Sequence, residues 1–453
     1  MCLSLSAQTD TTVCLIPIQK SDHIKRNFNT DEILNAKPYR IIHFGDSHIQ
    51  GDRITNEIRS HLQQLYGDAG SGVIFPYSLT GSFGPLGTKS SIKGGYSYSS
   101  QLKNASNRPI GIMGYELSLT KGAEFTVSFS DKFKGKITNE MVVWINSNSD
   151  TLDLTFNHGK YSVDCLRLQR GIRKYHITSD EQIDTLIFQT NDECSLWGFE
   201  FVSKEGLIYQ QNGAVGAQFT HLIKHEDDVL LQLKELKPNL LIFSYGTNES
   251  YSNLDTVKYE NTVENFLSRL MTELPDVSIL ITNAPDTRSA GRIPSNQLAI
   301  NRVLKRISEE LELSFYDANE AMGGWGSLYI WNKRGYFNKD LLHFSFTGAS
   351  LFGKLISYAL LKVLQDSTAF VQQLELDIKE NLPAKETEVN ISAESSTNQE
   401  IITPKKKQKY YIVKSGDSLS KIAQKTGSTV NVLVRKNNLK SADKIKPGQK
   451  LFY

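Results

Sequence analysis

Short apolar runs alternate with amphipathic helical stretches along much of the chain. The runs that end in Gly or polar residues are YRIIHFG (39–45), NLLIFSYG (239–246), VSILIT (277–282) and LSFY (313–316). After the first run, apolar residues recur at helical spacing at Ile54, Ile58 and Leu62. Continuous apolar strands that alternate with helices predict a doubly wound, three-layer α/β domain around a parallel sheet. Ligands bind beyond the carboxyl ends of such strands, so we expect the functional residues there.

Residues 90–205 follow a different pattern. They are rich in Ser, Thr, Tyr and Gly, and segments such as AEFTVSFSDKF and MVVWINS indicate short strands. Several short strands at regular spacing predict a β-sandwich or jelly roll. We therefore predict a β-sandwich domain at 90–205 that is inserted into one α/β domain, formed by residues 38–89 and 206–368.

The two ends of the chain differ from this core. Residues 369–408 have few apolar residues and many Glu, Lys, Ser and Thr, so we expect a disordered linker. Residues 409–453 predict a small βααβ domain. Residues 1–37 begin with MCLSLSAQ, whose small residues before a cut after Ala7 are typical of the end of a signal peptide. The basic start and the apolar stretch of roughly 7–15 residues are missing from it, so we interpret it as a signal remnant.

The composition is that of a globular protein, with 39% hydrophobic and 22% charged residues among 453. A net charge of +2 gives no argument for nucleic acid or for a membrane surface. No apolar run approaches the roughly 20 residues that span a bilayer. The four cysteines show no CxxC spacing, so we do not expect a zinc site. The sequence indicates no other metal and no organic cofactor. For Cys165 and Cys194, a disulfide and two free buried thiols fit the sequence equally well.

One group of polar residues favours acyl transfer. Ser47 follows the first apolar run in a Gly-Asp turn, which fits either ordinary turn chemistry or a positioned nucleophile. A serine nucleophile also needs a base, a group that orients the base, and donors for the oxyanion. Asp340 precedes His343 by three residues, so its carboxylate can fold back onto the imidazole. Asn248 follows a second apolar run and Gly216 begins a helical segment, so both can direct N–H groups into the same crevice.

These motifs, in this order, resemble the SGNH, or GDSL, hydrolase superfamily, which has a flavodoxin-like fold. The matching residues are Gly45-Asp46-Ser47, Gly216, Gly246-Thr247-Asn248 and Asp340 to His343. The resemblance implies that Ser47 attacks an ester carbonyl, that His343 acts as general base and then general acid, and that Asp340 orients His343. It also implies an oxyanion hole made by the Ser47 N–H, the Gly216 N–H and the Asn248 side chain.

Some residues near these motifs need a separate interpretation. Glu249 stands where the family has Asp, and we expect the replacement to be tolerated. Gly213 is an alternative to Gly216 as the second oxyanion donor. We expect His48 to line the rim of the site, and His43 to be a core histidine with satisfied ring nitrogens.

The form FGDSHIQGD, followed by an inserted β-domain, resembles one branch of the superfamily over about residues 38–365. That branch contains peptidoglycan O-acetylesterases and related polysaccharide deacetylases, and its insert resembles a carbohydrate-binding module. Residues 409–453 resemble a LysM module, through YYIVKSGDSL, NNL and IKPGQKL. This implies binding of N-acetylglucosamine-containing glycans between two loops, at Gly416, Asp417, Ser418 and Leu419 and at Ile445, Lys446 and Pro447. Alternatively, these residues only build the core of the module.

The sequence therefore predicts a serine esterase that removes O-acetyl groups from peptidoglycan and is anchored to the glycan by LysM. The expected partner is peptidoglycan or another acetylated, N-acetylglucosamine-containing glycan, and the expected location is periplasmic, secreted or at the surface of a bacterial envelope. The alternatives are a deacetylase or acetyltransferase that acts on another acetylated polysaccharide, and a non-catalytic glycan-binding scaffold.

Overall fold

The computed structural model describes residues 15–19, 38–82, 84, 87–103, 108–130, 138–156, 161–289, 294–364, 368–382, 410–426, 433, 437, 439 and 445–452. The chain divides into two compact units, residues 1–387 and residues 388–453. None of the described helices has both the length and the apolar character needed to cross a bilayer.

The strands of the first unit are, in chain order, β1 (Tyr39–Gly45), β2 (Thr88–Lys93), β3 (Tyr96–Ser100), β4 (Tyr115–Leu119), β5 (Glu124–Phe129), β6 (Glu140–Asn146), β7 (Leu154–Phe156), β8 (Tyr161–Arg167), β9 (Ile172–Ser179), β10 (Thr185–Thr190), β11 (Cys194–Phe201), β12 (Leu207–Gly213), β13 (Leu240–Ser244), β14 (Ser278–Thr282) and β15 (Ser314–Tyr316). Its α-helices are α1 (Ser47–Gln50), α2 (Arg53–Tyr66), α3 (Phe219–Ile223), α4 (Glu226–Leu236), α5 (Thr247–Ser250), α6 (Thr256–Glu273), α7 (Gln297–Glu310), α8 (Ala318–Ala321), α9 (Ser327–Lys333), α10 (Phe346–Val363) and α11 (Ala369–Asn381). Short 3₁₀ helices lie at Tyr77–Thr80 and Gln169–Gly171.

A parallel sheet with the strand order β12-β1-β13-β14-β15 forms the centre of the α/β fold. Because side chains alternate along a strand, β1 buries Ile41 in one apolar cluster and Ile42 in another. Helices α2 and α10 contribute Ile58 and Leu355 to the cluster of Ile41, and α6 contributes Phe266 to the cluster of Ile42. The predicted parallel sheet with helices packed on both faces is confirmed.

Strands β2 to β11, which lie between β1 and β12 in the sequence, form two antiparallel sheets. Their strand orders are β2-β5-β10-β7 and β3-β4-β11-β6-β9-β8. Both sheets bury large side chains, such as Phe125 of β5, Trp144 of β6 and Phe199 of β11. These residues belong to the same apolar cluster as Phe44 and Phe243 of the parallel sheet. A continuous core therefore joins the β-rich region to the α/β fold.

The cysteines of the β-rich region are free. Cys165 lies on β8 and is exposed, whereas Cys194 begins β11 and is buried. Strands β9 and β6 lie between β8 and β11, so at about 4.8 Å per strand the two residues are at least about 14 Å apart, twice the roughly 7 Å limit for a disulfide. The disulfide alternative is wrong, and only one of the two free thiols is buried. Cys2 and Cys14 lie outside the described residues.

The segment expected to be a disordered linker, 369–408, begins with helix α11. Its Val371, Leu374 and Ile378 enter the apolar cluster to which α10 contributes. The linker prediction is therefore wrong for 369–381, because one narrow apolar face is enough to pack a helix against its neighbour. Residues 383–409 lie outside the described residues.

The N-terminal segment 1–37 is described only at residues 15–19. Gln19 pairs antiparallel with Phe315 of β15, with N···O distances of 2.7 and 2.9 Å. Ile18 is buried in the same apolar cluster as Ile41. This short stretch covers the edge strand of the parallel sheet. The predicted cut after Ala7 lies outside the described residues.

The second unit contains the antiparallel strands β16 (Tyr410–Ile412) and β17 (Lys450–Phe452) and the helix α12 (Leu419–Thr426). Its core consists of Val413, Leu419, Ile422, Ala423, Leu433 and Leu451. The second predicted helix of this unit lies mostly outside the described residues.

Candidate active site

Strand β1 delivers Ser47 to the carboxyl edge of the parallel sheet. The strand ends at Gly45, where a Cβ atom would come within 2.8 Å of the Ser244 carbonyl oxygen. Asp46 then caps α1, because its side chain accepts a hydrogen bond of 2.9 Å from the His48 N–H. Ser47 thus occupies a tight turn from strand to helix, and the close contacts at the end of the strand allow only Gly at position 45.

A second turn, just before α10, carries Asp340 and His343. It is closed by hydrogen bonds from the Asn338 N–H to the His343 carbonyl (2.9 Å) and from the Leu341 N–H to the Asn338 carbonyl (3.0 Å). Leu341 has a φ of +57°, in the left-handed region that non-glycine residues rarely adopt. The strained turn brings the carboxylate and the imidazole of this segment together, as the three-residue spacing predicts.

The structure brings together the serine, the histidine and the aspartate that the sequence singled out. Ser47 Oγ lies 2.9 Å from His343 Nε2, and His343 Nδ1 lies 2.8 Å from Asp340 Oδ2. Asp340 Oδ1 accepts hydrogen bonds of 3.0 Å from the N–H groups of Leu342 and His343. Burial raises the pKa of Asp340, but the hydrogen bonds from His343 and Leu342 outweigh it and hold that pKa below its usual value. With Nδ1 donating to this carboxylate, Nε2 is left to accept the serine proton.

The neighbouring strand ends bring N–H donors to the same edge. Gly45 is in register with Gly213 of β12 and with Ser244 of β13, so the turns that follow these strands are adjacent. Asn248, on α5, donates one hydrogen bond from Nδ2 to the Ala217 carbonyl at 2.9 Å. This bond fixes the amide against the turn after β12 and leaves its second N–H available.

The two glycines after β12 have different surroundings. Gly213 is buried, and a Cβ there would collide with the backbone nitrogen of Gln50, so close packing requires this glycine. Gly216 is half-buried with a φ of +76°. Within the described part of the chain, the N–H groups of Gly216 and Ser47 donate to no protein acceptor. Gly216 therefore remains our candidate for the second oxyanion donor.

Glu249 is fully buried between the turn that follows β12 and the turn that follows β13. Its Oε1 accepts a hydrogen bond from the Phe219 N–H (2.7 Å), and its Oε2 accepts one from the Gly246 N–H (3.1 Å). Burial raises the pKa of Glu249 to about 7. The side chain ties the start of α3 to the start of α5, and so holds the segments of Gly216 and Asn248 in place. This contribution was missed by sequence reasoning.

His43 is the core histidine that the sequence predicts. Its Nδ1 lies 2.8 Å from the Tyr209 hydroxyl, and its Nε2 lies 2.6 Å from Ser244 Oγ. Burial lowers the pKa of His43 to about 3, so the ring is neutral at physiological pH.

The prediction that His48 lines the rim is wrong, because its side chain is only 7% exposed. Its Nδ1 lies 3.1 Å from Asp46 Oδ1, and its Nε2 lies 2.9 Å from the Leu342 carbonyl oxygen. The ring therefore bridges the turn of Ser47 and the turn of His343. No motif in the sequence signals this contact, whose two partners are 294 residues apart.

The arrangement can perform nucleophilic acyl transfer. A serine hydroxyl that faces an imidazole, itself oriented by a carboxylate, can lose its proton as Oγ attacks a carbonyl carbon. Free N–H groups nearby can stabilise the negative charge that develops on the carbonyl oxygen. Within the described ranges, no group of three or more His, Cys, Asp or Glu side chains is placed to hold a metal ion.

The predicted glycan contacts of the C-terminal unit fall into two sets, which differ in their exposure and hydrogen bonds. Leu419 is 2% exposed and belongs to the core, as the alternative interpretation had it. The Asp417 carboxylate accepts hydrogen bonds of 2.9 Å from the Tyr411 hydroxyl, the Lys414 N–H and Lys425 Nζ, so it stabilises the loop. The remaining predicted contacts are half-buried or exposed, namely Gly416, Ser418, Ile445, Lys446 and Pro447.

Comparisons with known proteins concern each unit. Residues 411–452 match the family described as LysM domain. A search of the curated proteins gives no match. Among solved structures, a peptidoglycan O-acetylesterase is 22% identical, with a TM-score of 0.62 over 74% of this chain and 93% of its own. A lipase/acylhydrolase from Enterococcus faecalis is 20% identical, with a TM-score of 0.28 over 40% of this chain and 80% of its own. A family two carbohydrate esterase from Clostridium thermocellum, an active-site mutant, is 12% identical, with a TM-score of 0.26 over 60% of this chain and 99% of its own.

Of these three structures, the first shares its overall fold with this chain. The protein therefore joins an α/β fold like that of a peptidoglycan O-acetylesterase to a C-terminal LysM domain.

Proposed function

We propose that this protein is a serine esterase that removes O-acetyl groups from peptidoglycan, at O-acetylated muramoyl residues. The observation that carries the proposal is the chain of contacts from Ser47 Oγ through His343 to Asp340, at 2.9 and 2.8 Å. The N–H groups of Ser47, Gly216 and Asn248 are the donors that we assign to the oxyanion.

In the first half of the reaction, Ser47 Oγ attacks the acetyl carbonyl carbon while its proton moves to His343 Nε2. Asp340 keeps the other nitrogen protonated and stabilises the imidazolium that forms. The tetrahedral intermediate places its negative oxygen against the three N–H donors. It collapses as the bond to the sugar oxygen breaks, and His343 returns the proton to that oxygen. The polymer hydroxyl leaves, and an acetyl group remains on Ser47.

In the second half, a water molecule takes the place of the sugar hydroxyl. His343 Nε2 accepts a proton from the water as its oxygen attacks the acetyl carbon. The second tetrahedral intermediate collapses as its bond to Ser47 Oγ breaks, and His343 returns the proton to that oxygen. The product is acetic acid, which releases its remaining proton to water and becomes acetate. No group outside the chain other than water is needed.

Two observations support peptidoglycan as the polymer. One solved structure that shares this fold is a peptidoglycan O-acetylesterase, and residues 411–452 match LysM, whose members bind N-acetylglucosamine-containing glycans. We assign the glycan contacts to the exposed loops around Gly416 and Pro447. A module tethered to its polymer can raise the local concentration of the esterase to about the millimolar range. This partner implies a location in the bacterial envelope or at the cell surface.

In this proposal, residues 38–89 and 206–381 form the catalytic domain, and 90–205 form an inserted domain of the carbohydrate-binding type. Residues 409–453 form the module that binds the wall.

Acetate release tests the function. Wild type and Ser47→Ala would be incubated with O-acetylated peptidoglycan and with the same polymer after chemical de-O-acetylation. We expect acetate only from wild type with the acetylated polymer. No release, with retained binding to both polymers, would contradict the proposal and favour another acetylated glycan, acetyl transfer or a scaffold.

A further inference from the structure

His48 faces a hydrogen-bond acceptor at each ring nitrogen. Its Nε2 lies 2.9 Å from the Leu342 carbonyl oxygen, which can only accept, so this nitrogen carries a proton. Its Nδ1 lies 3.1 Å from Asp46 Oδ1, which also accepts a hydrogen bond from the His48 N–H. The Asp46 side chain is hydrogen-bonded to the side chain of Thr247 as well. A carboxylate that accepts from several donors is ionised, so Nδ1 carries a proton too. The contacts therefore fit an imidazolium with both nitrogens protonated.

This cation is held inside the protein. The side chains of His48 and Asp46 are 7% and 3% exposed. A charge at such a position is tolerated only when it is paired and hydrogen-bonded, and both conditions are met here. Burial opposes the charge on His48, but Asp46 and the Leu342 carbonyl outweigh it and raise the pKa of His48. Other ionisable groups that face the pair are Asp340 and His343 on the turn before α10, Tyr245 and Glu249 beside Asp46, and His43 on β1.

His48 contacts Leu342, the residue directly before His343. The Leu342 carbonyl accepts from His48, and the Leu342 N–H donates to Asp340 Oδ1 at 3.0 Å. The peptide unit after Leu342 is thus anchored by His48, from the turn of Ser47. The peptide unit before Leu342 is anchored by Asp340, from the same turn as His343. The rings of His48 and His343 have centroids 5.6 Å apart.

Asp46, the partner of His48, contacts the segment that carries the proposed oxyanion donor Asn248. Asp46 directly precedes Ser47, and its hydrogen bond with Thr247 ties it to the residue before Asn248. One buried ion pair therefore connects the turn of the base, the turn of the nucleophile and the helix of the oxyanion donor.

We propose that His48, as a buried imidazolium paired with Asp46, is a positioning residue that fixes His343 against Ser47. The catalytic consequence rests on the proposed function, whereas the charge of His48 does not.

The variant His48→Gln removes the charge and keeps a planar polar side chain of similar size. We expect kcat to fall about 10- to 100-fold, since His343 loses one anchor of its alignment. We expect KM to stay within about twofold, because the buried ring does not reach the substrate. Loss of a nearby positive charge also favours protonation of His343, so the acid limb of kcat/KM against pH should move to higher pH. A merely structural role would not move that limb.

The kinetic test uses the full chain with p-nitrophenyl acetate and with O-acetylated peptidoglycan. The matched control is His176→Gln, a histidine on β9 that is 41% exposed and pairs with Glu140 at 3.4 Å. Thermal unfolding establishes that both variants are folded. A folded His48→Gln variant with kcat within twofold of wild type would overturn the proposal, as would a lower kcat with an acid limb that has not moved.

The charge itself is measured on wild type, independently of activity. In protein labelled with ¹⁵N-histidine, NMR at pH 7 should show protons on both ring nitrogens of His48, identified by the signal that His48→Gln loses. An unprotonated ring nitrogen on His48 at pH 7 would overturn the proposal. If wild type hydrolyses neither ester, the proposed function fails, while this spectrum still decides the charge of His48.

Discussion

Replacement of Asp340 by Asn tests how the base is oriented. The two carboxylate oxygens have different partners, since Oδ1 accepts from two backbone N–H groups and Oδ2 faces His343 Nδ1 at 2.8 Å. Asn keeps an oxygen for the backbone but turns its NH₂ toward Nδ1. Nδ1 must then accept, so the proton moves to Nε2, and Ser47 faces a donor where it needs a base.

The size of this effect follows from the exposure of Asp340. Where a buried carboxylate orients the histidine, this change lowers kcat about 10⁴-fold. The Asp340 side chain is 47% exposed, so water competes at the new amide and weakens its hold on the wrong tautomer. We therefore expect a loss of about 10³-fold in kcat, which is about 4 kcal/mol in activation free energy.

The assay is kcat for acetate release from O-acetylated peptidoglycan by folded wild type and Asp340→Asn. The matched control is Asp317→Asn, at a carboxylate that caps α8 by accepting a hydrogen bond of 3.0 Å from the Glu320 N–H. If Asp340→Asn retained more than a tenth of the wild-type kcat, the orienting role would be refuted.

Three further predictions concern the oxyanion, pH and the thiols. Asn248→Ala should lower kcat for acetate release about 10²- to 10³-fold without unfolding the protein, and a loss below twofold would count against this donor. The pKa of Glu249 is raised from 4.5 to about 7, so its contribution to stability is fully present below pH 4.5 and is lost as the pH rises through about 7. The stability deficit of Glu249→Gln in urea unfolding should therefore be larger at pH 5 than at pH 8, and an equal deficit would contradict this. A thiol reagent added to the native, unreduced protein should modify Cys165 and spare Cys194, as peptide mass spectrometry would show, whereas a disulfide would protect both.

Ser47, Asp340 and His343 could each be singled out from the sequence because each belongs to a short local pattern. The resemblance of these motifs to the SGNH hydrolases then joined Ser47 to the other two. Ser47 follows an apolar strand that ends at Gly45, and the three-residue spacing of Asp340 and His343 already brings their side chains within reach. The parallel sheet was predictable for the same reason, since its strands are continuous apolar runs between amphipathic helices.

The features that sequence reasoning missed depend on contacts between distant segments. The buried position of His48 depends on its contact with Leu342. Whether Cys165 and Cys194 can form a disulfide depends on the order of strands within a sheet. The polar composition of helix α11 (Ala369–Asn381) predicts a linker, although Val371, Leu374 and Ile378 form an apolar face. Such a face becomes informative only once a partner surface is known.

The proposed reaction requires that His343 activates Ser47 as a nucleophile. A fluorophosphonate, which phosphonylates activated serines, would be added to wild type and to His343→Ala, and the modified peptide would be identified by mass spectrometry. We predict one phosphonyl group on wild type, located on Ser47 and reduced by O-acetylated peptidoglycan, and little on His343→Ala. No adduct, an adduct on another residue, or equal labelling of the two proteins would contradict the account.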